Sequence, residues 1–153
     1  MMKSFLIILF TLWTSTCALA QINIDSISTK PINVVNKFVN ELANADRATD
    51  IILSQQVIVN NPSPDLYDYL EVSLEEIRLN LQYKNLEELE YIPYRNMKAK
   101  RLRDIDVEGL SKENIYFVEH KGKHVLALYI TDNKIASFTL VSKGKNQAHF
   151  VFY

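Results

Sequence analysis

Apolar residues recur at two spacings along this chain, every three or four positions through the first half and every second position from residue 115 onward. The first is the period of a helix with one buried side, the second that of a strand. In 31–43 the residues Val35, Phe38, Val39 and Leu42 predict a helix, with Pro31 tolerated in its first turn. Asn44 or Asp46 stops it and starts a shorter helix over 46–54, with Ile51, Ile52 and Leu53 inward, and 57–59 reads as a short edge strand. Ser63, Pro64 and Asp65 suit the N-cap, the first helical position and the positive end of the helix dipole. A long helix therefore runs from 66 to about 83. Leu66, Leu70, Leu74, Ile77 and Leu81 form its buried stripe, widened by Tyr69, Val72 and Tyr83, with Glu71, Glu75, Glu76 and Arg78 on or near the solvated side.

After a stop at Asn85, Leu86 and Leu89 fit a helix while Leu89, Tyr91 and the edge-tolerant Pro93 fit a strand, and a strand over 88–92 is the expectation. The charged stretch 95–108 is expected to form another strand, its charges facing solvent, before a loop over 109–113. Four β-runs follow, 115–120, 124–130, 134–141 and 147–153, separated by turns at 121–123, 132–133 and 143–145 that hold Gly, Asn and Asp. They predict an antiparallel four-stranded meander. One face carries Tyr116, Val118, Leu126, Leu128, Ile130, Ile135 and Val141, the other Ile115, Phe117, Val125, Tyr129, Phe138 and Leu140. A sheet apolar on both faces needs two covering layers, its own helices on one face and a second subunit or another layer on the other, and a homodimer through the sheet is expected. Alternation of turns would also gather Lys121, Lys123, Lys143 and Lys145 at one end, where they could contact an anionic glycan or lipid surface or simply keep the hairpin tips soluble.

The N-terminus changes the compartment. Lys3, an apolar run over 5–13 and Ala18-Leu19-Ala20 have the form of a cleavable signal peptide over 1–20, followed by a polar lead-in over 21–30 and a single α+β domain over 31–153. Cleavage would remove Cys17 and Trp13, the chain's single Cys and single Trp. Without cysteine, the exported chain has to rely on a packed core. The apolar run is too short for a stable membrane span, and no later segment is long enough. A net charge of −1 does not suit nucleic-acid binding.

Helix, short helix, short strand, long helix and then antiparallel strands, with Phe38-Val39, Leu42-Ala43, Asn44 and Asp46 closing the first helix, resembles the cystatin-like cone of the nuclear transport factor 2-like superfamily. The resemblance implies helices packed on a curved antiparallel sheet around a pocket, in a superfamily that contains both enzymes and binding modules. The second early strand usual in that pattern is not evident here. Tyr67, Tyr91, Tyr116, Ser137 and His149 are the candidate ligand contacts. No residue is assigned a catalytic role and no cofactor is expected: the helical half has no His, and neither His149 nor Asp50 has an identifiable partner. His120 and His124 flank the first turn, but with Glu119 expected on the opposite face they lack the third ligand a zinc site needs, so no metal site is assigned. The expectation is an exported, non-enzymatic domain that takes a small apolar ligand or a protein partner between helices and sheet. The alternatives are an isomerase or lyase in the same pocket and an envelope protein docking through its lysines.

Overall fold

The structure, a computed structural model, describes residues 30–144 and 147–153, at Lys143 the backbone alone. The expected signal peptide and Lys145 lie outside the described residues. Helix α1 spans Pro31–Ala43 and buries Val34, Val35, Phe38, Val39 and Leu42. Helix α2 begins only at Thr49 and runs to Gln56, because Asn44 Oδ1 accepts from the Asp46 amide at 3.0 Å and the Asn44 carbonyl from the Arg47 amide at 3.1 Å. That local turn uses the backbone groups an earlier helix start would need. Helix α3 spans Pro64–Gln82, and the Leu66 amide donates to Ser63 Oγ at 3.2 Å, the cap expected from the sequence.

Leu70, Leu74 and Leu81 of α3 are fully buried, but the expected width of the stripe is wrong. Tyr69, Val72 and Tyr83 are exposed, and Arg78 is buried. Its Nε donates to the Leu42 carbonyl at 3.0 Å, its Nη2 to the Arg47 carbonyl, and its Nη1 to Glu75 Oε1 at 2.8 Å. Thr49 Oγ1 donates to the same carboxylate oxygen at 2.9 Å. One guanidinium thus satisfies carbonyls that the end of α1 and the following turn leave open.

A four-stranded antiparallel sheet follows, with β1 at Leu89–Pro93, β3 at Ile115–His120, β4 at Lys123–Thr131 and β5 at Lys134–Ser137, in the order β1-β3-β4-β5. Val57 bridges Ile135 in parallel, so the short apolar run at 57–59 does lie along the sheet edge. The last two strands leave this sheet. Strands β6, Leu140–Gly144, and β7, Gln147–Phe150, pair with each other, and β7 also pairs in parallel with β2, Ile105–Asp106. The expected four-stranded meander is therefore three strands and a separate hairpin. The break sits at Phe138-Thr139, where Ser137 Oγ accepts from the Thr139 amide at 3.4 Å and donates to the Thr139 carbonyl at 3.3 Å. Phe138 turns to the helix side, its ring 6.2 Å from Phe38 and 5.1 Å from Tyr153, contrary to the outer face read from strict alternation.

The helix side of the sheet is filled. Val118, Leu128 and Ile135 meet Phe38, Leu42, Ile52, Leu70 and Leu74, all at most 2% exposed, and each such side chain contributes about 1.5–3 kcal/mol by leaving water. The opposite face, with Ile115, Phe117 and Ala127, is covered by Tyr94, Met97, Leu102, Ile105, Val107, Leu110 and Phe150 of the same chain. This covering arm is not the strand expected over 95–108: it comprises a 3-10 turn at Tyr94–Asn96, a one-turn helix α4 at Ala99–Leu102, and β2. Both apolar faces are thus covered without a second subunit, which removes the reason for which a dimer through the sheet is expected. Val141, placed on the helix-side face by the sequence pattern, is 42% exposed.

Candidate functional site

The hairpin joining β3 to β4 creates a polar cluster on the outer face of the sheet. Lys121 and Gly122 both take positive φ, 51° and 72°, which makes a two-residue turn and pairs His120 with Lys123 rather than with His124. The register then skips Val125, so that His124 stands opposite Glu119. A bulge of this kind re-aims side chains. Here it puts Glu119 and His124 on one face with Phe117, where simple alternation separates them.

Arg101, in α4 of the covering arm, reaches this face. Its Nη2 donates to the Gly122 carbonyl at 2.5 Å and lies 3.8 Å from Glu119 Oε1, beyond hydrogen-bond reach. Met97, Ile105, Phe117 and Leu140 form the apolar walls of a cleft of about 250 Å³, with Arg101, Asp104, Glu119 and His124 as its polar lining. Glu119 is only 8% exposed.

The imidazole of His124 packs edge-on to Phe117 with centroids 6.3 Å apart. Although His124 keeps an exposed rim, loss of solvent on its packed side lowers its pKa below the ordinary 6.5; Glu119 opposes this shift and Arg101 adds to it. The folded state therefore disfavours the imidazolium, and the stability this group contributes is held above about pH 6.5 and lost as pH falls. A ring-proton NMR titration is expected to place His124 below 6.5, with Glu119→Gln moving it further down and Arg101→Met moving it up. Shifts of the opposite sign would remove His124 from this cluster.

The five expected ligand contacts are not brought together. Tyr67, in the first turn of α3, and Tyr91 and Tyr116, on neighbouring strands, pack against the helix-side core, and burial raises the Tyr91 phenol above 10.0. Ser137 is fully buried and engaged with Thr139. His149 lies in the second sheet. Its neighbour Ala148 lines the cleft, so strand alternation turns His149 the other way, with Nδ1 buried and without a hydrogen-bond partner among the described residues.

Of the four lysines, Lys145 and the side chain of Lys143 lie outside what the structure describes, and the four-stranded meander that gathers their turns is replaced by two sheets. Lys121 Nζ is held by Glu88 at 2.9 Å, where His120 Nε2 also approaches at 3.1 Å. Lys121 chiefly, with His120, keeps the Glu88 carboxyl below its usual value. The two histidines flanking the turn are therefore engaged differently, His120 with Glu88 and His124 in the cleft. Among the described residues no three His, Cys, Asp or Glu side chains are grouped to hold a metal ion.

Comparisons with family models, with curated proteins and with solved structures give no match to this chain.

Proposed function

We propose that this chain is an exported, non-enzymatic binding domain whose ligand enters the cleft between the outer sheet face and the covering arm. The observation that carries this is Glu119, a mostly buried carboxylate whose nearest cation is 3.8 Å away. The carboxylate lines the cleft with little protein hydrogen bonding and limited solvent, and a ligand that donates to it there makes a charge-assisted hydrogen bond at an apolar wall. Apolar walls around the carboxylate suit a small ligand with an apolar body and a donating head, an ammonium, amide or hydroxyl group. The volume is below that of most drug-sized sites, which run from about 300 Å³ upward. Export rests on the leader-like segment over 1–20. A cone of the nuclear transport factor 2-like kind is supported by the order of α1, α2 and α3 before the antiparallel strands, but here the functional cleft lies outside the filled helix-sheet interior.

The test is a thermal-shift screen of small amines, amino acids, amides and polyols. A ligand at about 100 times its Kd adds about 2.7 kcal/mol of stability, several degrees in Tm. At least one class is expected to shift the wild type and to lose that shift in both Glu119→Gln and Leu140→Trp, the second of which fills the cleft. A shift that survives in both variants, or none in the wild type, would end this assignment.

His124 favours a second reading, an acid-base enzyme of isomerase or lyase type in the same cleft. A neutral imidazole facing a carboxylate is suited to taking a proton from a bound ligand. Turnover abolished by His124→Asn with binding retained would distinguish it. Docking to anionic envelope surfaces through the lysines has less support, since Glu88 already neutralises Lys121.

A further inference from the structure

Helix α3 has a second apolar stripe, on the side away from the core. Tyr69, Val72, Leu79 and Tyr83 are 54, 61, 54 and 88% exposed, and together with Glu76 they recur at alternating intervals of three and four. This is the spacing of the contact positions of a helix that packs on another helix. At 3.6 residues per turn the stripe lies opposite Leu70, Leu74 and Leu81, so α3 is patterned for a layer on each side and has one.

The charges decide what that layer is. Asp65, Asp68 and Glu76 lie in or beside the stripe, all exposed. The cations nearby are already used: Arg78 is buried on the inner side, and Lys84 Nζ donates to Asn80 Oδ1 at 2.5 Å and to the Asn80 carbonyl at 2.8 Å. A second copy of this helix would desolvate Glu76 with no cation to receive it, and an anionic lipid surface would be repelled.

We propose that the outer face of α3 docks a cationic amphipathic helix of a partner polypeptide, whose apolar side chains seat between Tyr69, Val72, Leu79 and Tyr83 and whose Lys or Arg meets Glu76. Beside this stripe a hollow of about 310 Å³, lined by Tyr69, Ser73, Glu76 and Ile77 of α3, by Val125 of β4 and by Phe138 just beyond β5, gives a large side chain of the partner a place to insert. The hollow shares His124 and Leu140 with the cleft, but none of Tyr69, Val72, Glu76, Leu79 and Tyr83 lines the cleft, so the stripe is tested independently of Glu119.

The test uses synthetic helical peptides of about 18 residues, long enough to span the stripe, with Leu at the contact positions and Lys flanking them. Controls are a scrambled peptide and one with Glu for Lys, with binding to the purified chain followed by fluorescence anisotropy at about 0.15 M salt. The Lys helix is expected to bind at least about tenfold tighter than either control, to lose at least about tenfold with Leu79→Asp, and to lose its preference over the Glu peptide with Glu76→Lys. Because Leu79 and Glu76 are exposed, both variants should melt like the wild type. Equal binding of the scrambled peptide, indifference to Leu79→Asp, or a wild-type homodimer that Leu79→Asp dissociates would each overturn the proposal.

Discussion

Arg78→Met is expected to destabilise the domain by about 2–4 kcal/mol, measured by urea unfolding at neutral pH. Methionine keeps much of the stem's packing but removes the donors that meet the Leu42 and Arg47 carbonyls and the Glu75 carboxylate. Those two carbonyls face a buried side chain and lose partners that water cannot readily replace. Arg78→Lys is expected to recover only part of the loss, because a single ammonium cannot present the planar fork that reaches three acceptors on different sides. Glu75→Gln should cost at most about 1 kcal/mol, since its carboxylate is half exposed. An Arg78→Met protein within about 0.5 kcal/mol of wild type would show that the guanidinium does not hold α1 to α3.

A loss of similar or larger size is expected from Tyr153→Ala, about 3–5 kcal/mol. The ring packs against Phe138, the hydroxyl pairs with Thr139 Oγ1 at 2.5 Å and accepts from the Phe138 amide at 3.4 Å, and the main-chain oxygen accepts from the Asn60 amide at 2.7 Å. Tyr153→Phe keeps the ring and should cost only about 1 kcal/mol at neutral pH. Burial, as the largest cause, raises the Tyr153 phenol above its usual 10.0. The folded state then binds this proton more tightly than the unfolded chain, so its contribution is whole below about pH 10 and is lost as pH rises beyond it. Wild-type stability should therefore fall more steeply than that of Tyr153→Phe above about pH 10. Parallel declines would mean that the phenol is not buried as described.

Much of the helical half was legible because caps and periodicity act locally. Ser63 and Pro64 begin α3 and Leu70, Leu74 and Leu81 point inward, as their spacing requires. Tyr69, Val72 and Tyr83 misled because apolar character alone does not say which side of a helix meets the core. The same helix carries two stripes, and Leu79 belongs to the outer one. Arg78 departs for the opposite reason: charge in a sequence reads as solvation, whereas the carbonyls at the end of α1 that need a donor become visible only when the two helices are together.

The cleft was the least legible part. Its key pairing, Glu119 with His124, depends on a two-residue turn and a skipped Val125. Lys121-Gly122 signals such a turn, and reading it as one gives the His120–Lys123 pairing directly. No local feature marks Val125 as the extra residue. Arg101 could not be placed because its segment folds as a short helix over the sheet rather than as a strand beside it. The break after Ser137 was likewise hidden in a run of strand-forming residues that alternation treats as continuous.

Asn60 and Tyr153 are joined across 93 positions of sequence, and this has a kinetic consequence. Closing so long a loop is slow and comes late, after the helices and the β3-β4-β5 hairpins have had time to form from nearby residues. Until residues 147–153 have been synthesised, a nascent chain cannot seat Tyr153 beside Phe138 or complete the second sheet. The second sheet is therefore expected to be the last part of the domain to assemble, and the first to be lost when the contacts of residues 147–153 are weakened.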